Sequence, residues 1–415
     1  MMGFRDATGI AASSPQRSLM STSLHELASE SPQPPQSTLA LPRILGDIGD
    51  PAAGPTLIVI GGLHGNEPAG VHGLQRLFRR FAEDGCTPEG RFVGLAGNRA
   101  ALEVGQRFID DDLNRVWFSD RIAELRRGGG ARSAEELEIL ELDAIFQQLL
   151  DEARGKPFIL DVHTTSGPGP AFSVLHDTLT NRRFARAMPI PITLGLEEEL
   201  NGTLTDHFTE LGAVALSVEA GQHDDPRSID RAVAALWIAL DVASMLPEMY
   251  LGALEDARAL LELEGRGLPE AVEVRYHHAI TADSHFRMMP GFRSFQPITF
   301  GQPVASERGQ TVASPMTGML LMPLYQELGG DGFFLTRPVH SLWLDLSTVL
   351  RRARIERWLK FLPGVQVAAG AEGTYLVNRR IARWGPRQLF HILGYRRREH
   401  SPTHLVMQKR PEPAD

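Results

Sequence analysis

Through the first half of the chain, short continuous apolar runs alternate with longer stretches in which apolar residues recur every three or four positions. The runs Thr56 to Ile60, Arg91 to Leu95, Phe158 to Val162 and Val214 to Val218 are too short for helices, so they predict buried strands. Helical spacing marks Pro68 to Phe81, Ala134 to Leu150 and Ser228 to Leu246. In the first of these, Val71, Leu74, Leu77 and Phe78 form one stripe, and Pro68 suits an opening turn. Strand, Gly61-Gly62 turn and helix make a βα unit. Its repetition predicts an α/β fold with a largely parallel or mixed sheet flanked by helices, and places chemistry at the carboxyl ends of the strands.

The texture changes on either side of this region. Residues 1–41 are rich in Ser, Pro, Gln and Ala and predict a flexible arm, with one short helix near Leu24 to Ala28. Residues 42–262 form the α/β domain. From 263 to 338 short alternating segments broken by Gly and Pro predict a small β domain. Its stretch from Gly309 to Pro323 has the rhythm of a lipoyl or biotinyl carrier, but no lysine stands between Lys156 and Lys360 to carry the group. Residues 339–415 predict a mostly helical extension, from helical spacing over Ser341 to Leu362 and a basic stretch from Arg379 to Arg398. Solvated faces or a subunit contact, and hence a homo-oligomer, are the ordinary readings of these helices.

With 415 residues, 42% of them hydrophobic, the chain has ample material for two or three packed units. A net charge of -9 argues against nucleic acid as partner and leaves small molecules. Cys86 is the only cysteine, which rules out an internal disulfide and a cysteine-clustered zinc site. Any metal must be held by His and carboxylates. No run of about 18 apolar residues occurs and the first residues lack a signal-peptide pattern, so the expectation is a cytoplasmic protein with no membrane contact.

Four fragments carry candidate chemistry. Gly61 to Gly70, GGLHGNEPAG, offers His64 and Glu67 on a glycine-rich turn directly after a strand. By itself it also suits a phosphate loop or helix cap, although it lacks the Lys-Ser/Thr ending and the glycine spacing of those motifs. Ile159 to Gly169, ILDVHTTSGPG, puts Asp161, His163 and Thr165 on one side of a strand, with Asp161 placed to support a histidine ligand. Two imidazoles and one carboxylate leave a fourth zinc position open for water, the arrangement of a catalytic site. Glu219, at the end of the strand in ALSVEAGQH, is the candidate proton shuttle, or else a cap or ion-pair residue, and His223 reads as a pocket or capping residue. Arg107 to Phe118, RFIDDDLNRVWF, offers Arg107, Asn114 and Arg115 for carboxylate recognition or oxyanion stabilisation, or simply a surface ion-pair loop.

Together these fragments resemble the succinylglutamate desuccinylase and aspartoacylase family of zinc carboxypeptidase-like hydrolases. HGNEPAG at His64, Gly97-Asn98 followed by the stretch to Arg115, DVHTT at His163 and VEAGQ at Glu219 match in order and spacing. The resemblance covers about Pro42 to Arg337. It implies that His64, Glu67 and His163 bind one zinc ion per chain, that Glu219 is general base and acid, and that Arg107 polarises the scissile carbonyl. It further implies that Asn114 and Arg115 hold a substrate carboxylate and that the β domain partly covers the pocket, with Tyr325 contributing a hydroxyl. The expected reaction is hydrolysis of the amide of an N-acyl amino acid or similar acidic small molecule. A metallocarboxypeptidase trimming peptide C-termini and a catalytically silent metal-binding protein are the alternatives. One departure concerns specificity: aspartoacylases carry a further arginine about ten residues before the catalytic glutamate, and His207 to Val218 contains none.

Overall fold

The computed structural model describes residues 41–368, 373–378, 390, 393–400 and 404–409. In chain order, the first half contains β1 (Ile44–Gly49), β2 (Thr56–Gly61), α1 (Ala69–Asp84), β3 (Arg91–Ala96), α2 (Arg99–Val104), α3 (Ser119–Arg126), α4 (Ala134–Glu152) and β4 (Phe158–Thr165). There follow β5 (Phe172–Val174), α5 (Leu179–Ala187), β6 (Ile192–Leu194), α6 (Leu204–Glu210), β7 (Val214–Gln222), α7 (Arg227–Val242) and α8 (Leu251–Gly265). The four predicted strands and three predicted helices are all present. The short β5 and β6, three residues each, carry too few positions to show a period in the sequence.

Strand β2 shows how the layers form. All six of its residues are buried, because helices cover both faces. Successive side chains point to opposite sides, so Leu57 and Val59 join a core with Leu74, Leu77 and Phe81 of α1, Phe184 of α5 and the apolar face of α7. Ile58 and Ile60 join the other core, with Ile139, Leu142 and Phe146 of α4 and Leu204 and Phe208 of α6. Helix ends are closed locally. Ser133 Oγ accepts from Glu136 N at the start of α4, and Gly85, in the left-handed region at φ +62°, ends α1.

The remaining elements are β8 (Ala271–Ala279), β9 (Arg287–Met288), β10 (Pro297–Ile298), β11 (Pro303–Glu307), β12 (Gln310–Ala313), β13 (Gly318–Leu321), β14 (Asp331–Val339), α9 (Ser341–Arg352), β15 (Val365–Val367), β16 (Thr374–Asn378), β17 (Tyr395–His400) and β18 (His404–Lys409). One mixed sheet runs β1-β3-β2-β4-β7-β5-β6-β8-β14-β13-β10. The β-rich segment expected from 263 is present, but it is not set apart: β8 lies parallel to β6 and antiparallel to β14, so the sheet continues without a break. Only β12-β11-β9 forms a separate small sheet in that segment.

The C-terminal expectation needs correction. Helix occupies Ser341–Arg352, and after a short 3-10 stretch the chain builds a four-stranded antiparallel sheet, β15-β16-β18-β17. The basic stretch suggested helix through its charges alone. In β18 the buried residues Leu405 and Met407 alternate with their neighbours, the period of a strand. The arm at 1–40 and most of Arg379 to Arg398 lie outside the described residues.

The close approach of β2 to α1 sets the site loop. A Cβ on Gly61 would lie 2.5 Å from the backbone carbon of Gly70. Gly61→Ala is therefore expected to destabilise the fold by about 1–3 kcal/mol through overpacking, read as a lower urea midpoint with an unchanged slope. An unchanged midpoint would show that the contact relaxes freely.

Candidate active site

Three consecutive parallel strands, β2, β4 and β7, end at the same rim and bring the predicted residues together. After β2 the chain turns through Gly62 at φ +73°, and Gly65 N donates to Arg107 O at 3.1 Å, which fastens the His64 loop to the Arg107 loop. Asn98 N donates to Gly62 O at 2.8 Å and ties the end of β3 to the same turn. In β4 and β7, His163 and Glu219 are direct register partners. Pairing side by side on one rim puts a histidine next to a carboxylate without any side chain having to reach.

His64, Glu67 and His163 are buried, and one donor atom from each lies within 4.8 Å of the others. Glu67 is the centre. Its Oε1 lies 2.8 Å from His64 Nδ1, its Oε2 lies 3.0 Å from His163 Nδ1, and Thr164 N donates to Oε2 at 2.9 Å. The far nitrogens are held by other carboxylates: His64 Nε2 is 2.9 Å from Asp112 Oδ1, and His163 Nε2 is 2.7 Å from Asp161 Oδ2. That is how proteins orient metal-binding imidazoles, with the ring nitrogen away from the ion bonded to an acid. The set fits a divalent cation. Burial alone would raise the Glu67 carboxyl, but His64 and His163 hold it well below the usual range. Burial would likewise depress His163, and Asp161 and Glu67 outweigh it, raising the imidazole well above its ordinary value. Both shifts describe a cluster of anions waiting for positive charge.

Glu219 differs. It is buried, its Oε2 has no hydrogen-bond partner among the described residues, and burial raises its carboxyl to about 8 against the opposing pull of His163. Such a carboxyl can hold or release a proton near neutral pH.

The Arg107 loop is organised by two acids that sequence reasoning passed over. Asp112 Oδ2 accepts from Arg107 at 3.1 and 2.9 Å, while its Oδ1 faces His64, so one carboxylate sets both groups. Glu135, at the start of α4, accepts from the backbone N–H groups of Ile109, Asp110 and Asp111 and from Asn98 Nδ2. Asp112 was one of three adjacent aspartates with nothing to single it out, and Glu135 gave no signal at all. Arg107 also reaches Glu67 Oε1 at 3.4 Å. Asn114 Oδ1 accepts from Leu204 N at the start of α6, and its Nδ2 stands 3.4 Å from His163 Nε2. Arg115 pairs with Asp331 at 2.8 Å, and Asp331 in turn faces His277 of β8 at 2.8 Å. Hydrogen bonds to Asp331 and Glu199 raise His277 to about 9 despite burial, while His277 and Arg115 hold Asp331 at about 2.

His64, Glu67, Arg107, Asn114, Arg115, His163 and Glu219 all line one cleft. Tyr325 does not. Its hydroxyl is turned to Met289 O at 2.7 Å and Phe292 N at 3.0 Å, and it lines a separate groove, so its place at the cleft is taken by Gln326. Gln326 Oε1 accepts from Asn66 Nδ2 at 2.7 Å and lies 3.1 Å from His223 Nε2, while His223 Nδ1 is 2.8 Å from Thr164 Oγ1. His223 is thus a pocket residue, as its position in the sequence suggested.

Residues 53–238 match the model of the succinylglutamate desuccinylase/aspartoacylase catalytic domain. This segment belongs to that hydrolase family. Over 174 residues the chain is 31% identical to succinylglutamate desuccinylase of Burkholderia pseudomallei (strain 1710b), an alignment covering 40% of this chain and 49% of that protein. The chain thus spans about half the length of this relative. Over 275 residues it is 26% identical to succinylglutamate desuccinylase of Pseudomonas paraeruginosa (strain DSM 24068 / PA7), covering 63% of this chain and 80% of that one. The solved succinylglutamate desuccinylase/aspartoacylase from Rhodobacter sphaeroides superposes with a TM-score of 0.52 at 17% identity, covering 70% of this chain and 87% of that chain, and so shares the fold. All four motif fragments lie within residues 53–238, three of them at the ends of β2, β4 and β7 and the fourth, Arg107 to Phe118, between α2 and α3. No helix among the described residues is long and apolar enough to cross a membrane.

Two measurements follow from this geometry. Asp112→Asn is expected to weaken divalent-metal affinity by about 10–100-fold by calorimetric titration, and wild-type affinity in the variant would remove Asp112 from the support of His64. Glu219 holds its proton to about 8 in the folded metal-free protein, against 4.5 ordinarily. The folded state therefore binds more protons across that interval, and the metal-free protein loses stability as pH rises through it. Glu219→Gln should flatten the pH dependence of the urea midpoint in this window, whereas an unchanged slope would place the titration elsewhere.

Proposed function

We propose that the protein is a zinc-dependent hydrolase cleaving the amide of an N-acyl amino acid or a similar small carboxylate-bearing amide. The observation that carries this reading is the convergence of His64, Glu67 and His163, each imidazole backed by an acid, beside a buried Glu219 carboxyl on the neighbouring strand. The relatives named succinylglutamate desuccinylase support an N-acyl amino acid as substrate.

Zinc is preferred over a hard cation because two of the three donors are imidazoles. When bound, the ion would act as a Lewis acid that lowers the pKa of water and polarises the amide carbonyl. Its positive charge would also favour ionised Glu219, which then accepts a proton from the attacking water and later delivers it to the departing nitrogen. Arg107, held by Asp112, presents its guanidinium beside Glu67 and stabilises the oxygen that gains negative charge. Asn114 positions His163 and the start of α6 together, and Arg115 offers a guanidinium for the substrate carboxylate once Asp331 yields it. Met322, Leu324 and Gln326, between β13 and β14, line the cleft and narrow it, which favours a small molecule over a peptide.

Glu219→Gln is expected to keep full metal content while lowering turnover by roughly 10²–10⁴. Retained turnover would move the proton work to another residue. Arg107→Ala should depress kcat more than it raises KM, and Arg115→Ala should mainly raise KM for acidic substrates; the reverse pattern would exchange the two roles. The reading as a whole is tested with zinc-loaded protein on N-acetyl and N-succinyl amino acids, their carboxamides and C-terminal peptides. Efficient peptide trimming would favour a carboxypeptidase, and preference for carboxamides would sink the carboxylate contact.

A further inference from the structure

Beyond the metal-facing residues the cleft continues into a region the reaction above leaves unused. Val174, Leu175, Leu196 and Leu200 supply its apolar wall, with His176 and Ser217 among them. Sheet register explains its position. Ser217 precedes Glu219 by two residues on β7, so both face the same side, and Ser217 is the register partner of Val174 on β5. Because β5 runs antiparallel to β7, continuing from Phe172 through Val174 to His176 leads away from Glu219 and the metal-binding rim. A second path leads to the same place: Asn114 links His163 to Leu204 N, and two residues later in α6 Asp206 meets His176.

His176 is built into this wall. Its side chain is fully buried, its Nδ1 is 3.0 Å from Asp206 Oδ1, and its Nε2 has no hydrogen-bond partner among the described residues. A buried polar atom left unpaired costs free energy unless a ligand completes it. Asp206 on Nδ1 selects the tautomer with the proton there, which leaves Nε2 as an acceptor. Glu197, next to Leu196, and Asp206, bonded to His176, are acidic residues lining the cleft beside this wall. The two arginines that line the cleft among the described residues, Arg107 and Arg115, are already paired with Glu67 and Asp112 and with Asp331. No arginine stands between His207 and Val218 to add positive charge here.

We propose that this region is a specificity subsite for a substrate arm ending in an ammonium group, with apolar walls for its methylenes and His176 Nε2 accepting from its terminal nitrogen. This rests on the amide-hydrolase reading and names the substrate side chain within it. An apolar arm leaves Nε2 unpaired and a carboxylate arm meets acceptors, so both are discriminated against.

The test compares Nα-acetylornithine, Nα-acetylnorvaline and Nα-acetylglutamate on zinc-loaded wild type, His176→Phe and His176→Gln. Wild type should favour the ornithine derivative over the norvaline derivative in kcat/KM by about tenfold or more. His176→Phe, which keeps a ring but no acceptor, should collapse that ratio toward one, and His176→Gln should restore part of it. Calorimetric binding of free ornithine against norvaline should follow the same order. A ratio unmoved by His176→Phe overturns the proposal, as does a wild-type preference for the glutamate derivative that His176→Phe abolishes. If no acyl amino acid turns over, the hydrolase reading fails, and the proposal is then judged by binding alone: ornithine preferred by wild type and not by His176→Phe upholds the subsite, and no such difference overturns it. Should His176→Phe not fold, the 15N shift of His176 Nε2 in wild type decides, since ornithine must move it and norvaline must not.

Discussion

Everything at the site is arranged around one buried carboxylate. Glu67 cannot carry its charge in a dry interior alone, and two imidazoles, a backbone N–H and a guanidinium converge on it. Those partners come from three segments, so neutralising one acid also fixes the β2 loop, the end of β4 and the Arg107 loop relative to each other. The second carboxylates, Asp112 and Asp161, extend the pattern outward by holding the opposite edge of each ring. An ion entering this nest replaces protons and adds charge where acids are in excess, which is why the same contacts serve as a frame before binding and as support afterwards.

The sheet supplies the frame's precision. Parallel neighbours β2, β4 and β7 end together, and the register pair His163 and Glu219 sets ligand beside proton carrier by backbone hydrogen bonds rather than by flexible side chains. The same sheet then runs on through β6 to β8, β14 and β13. Through that continuity Asp331, on β14, reaches Arg115 and closes one wall of the cleft with a residue more than two hundred positions away in sequence. A loosely tethered second domain could not hold that ion pair in place; a shared sheet can.

Much of this was legible in the residue order. Short continuous apolar runs located the main strands and period-3.6 patterns the helices, and His64, Glu67, His163 and Glu219 stood out because glycine turns and strand ends advertise exposed chemistry. These features are local: a strand, its turn and the residue at its tip lie within ten positions. Tertiary structure decided the rest. Asp112, Glu135, His176 and Asp331 look like any acid or histidine in the chain until folding supplies their partners, and Tyr325, expected at the pocket from the family resemblance, is turned away by its own hydrogen bonds to Met289 and Phe292. The C-terminal segment was misread as helix because charge has no period of its own, whereas buried Leu405 and Met407 do. Hydrophobic periodicity and motif spacing are written along the chain, but which buried polar group meets which is settled only when distant strands pair, since desolvation makes every unpartnered group costly and leaves few pairings that satisfy them all.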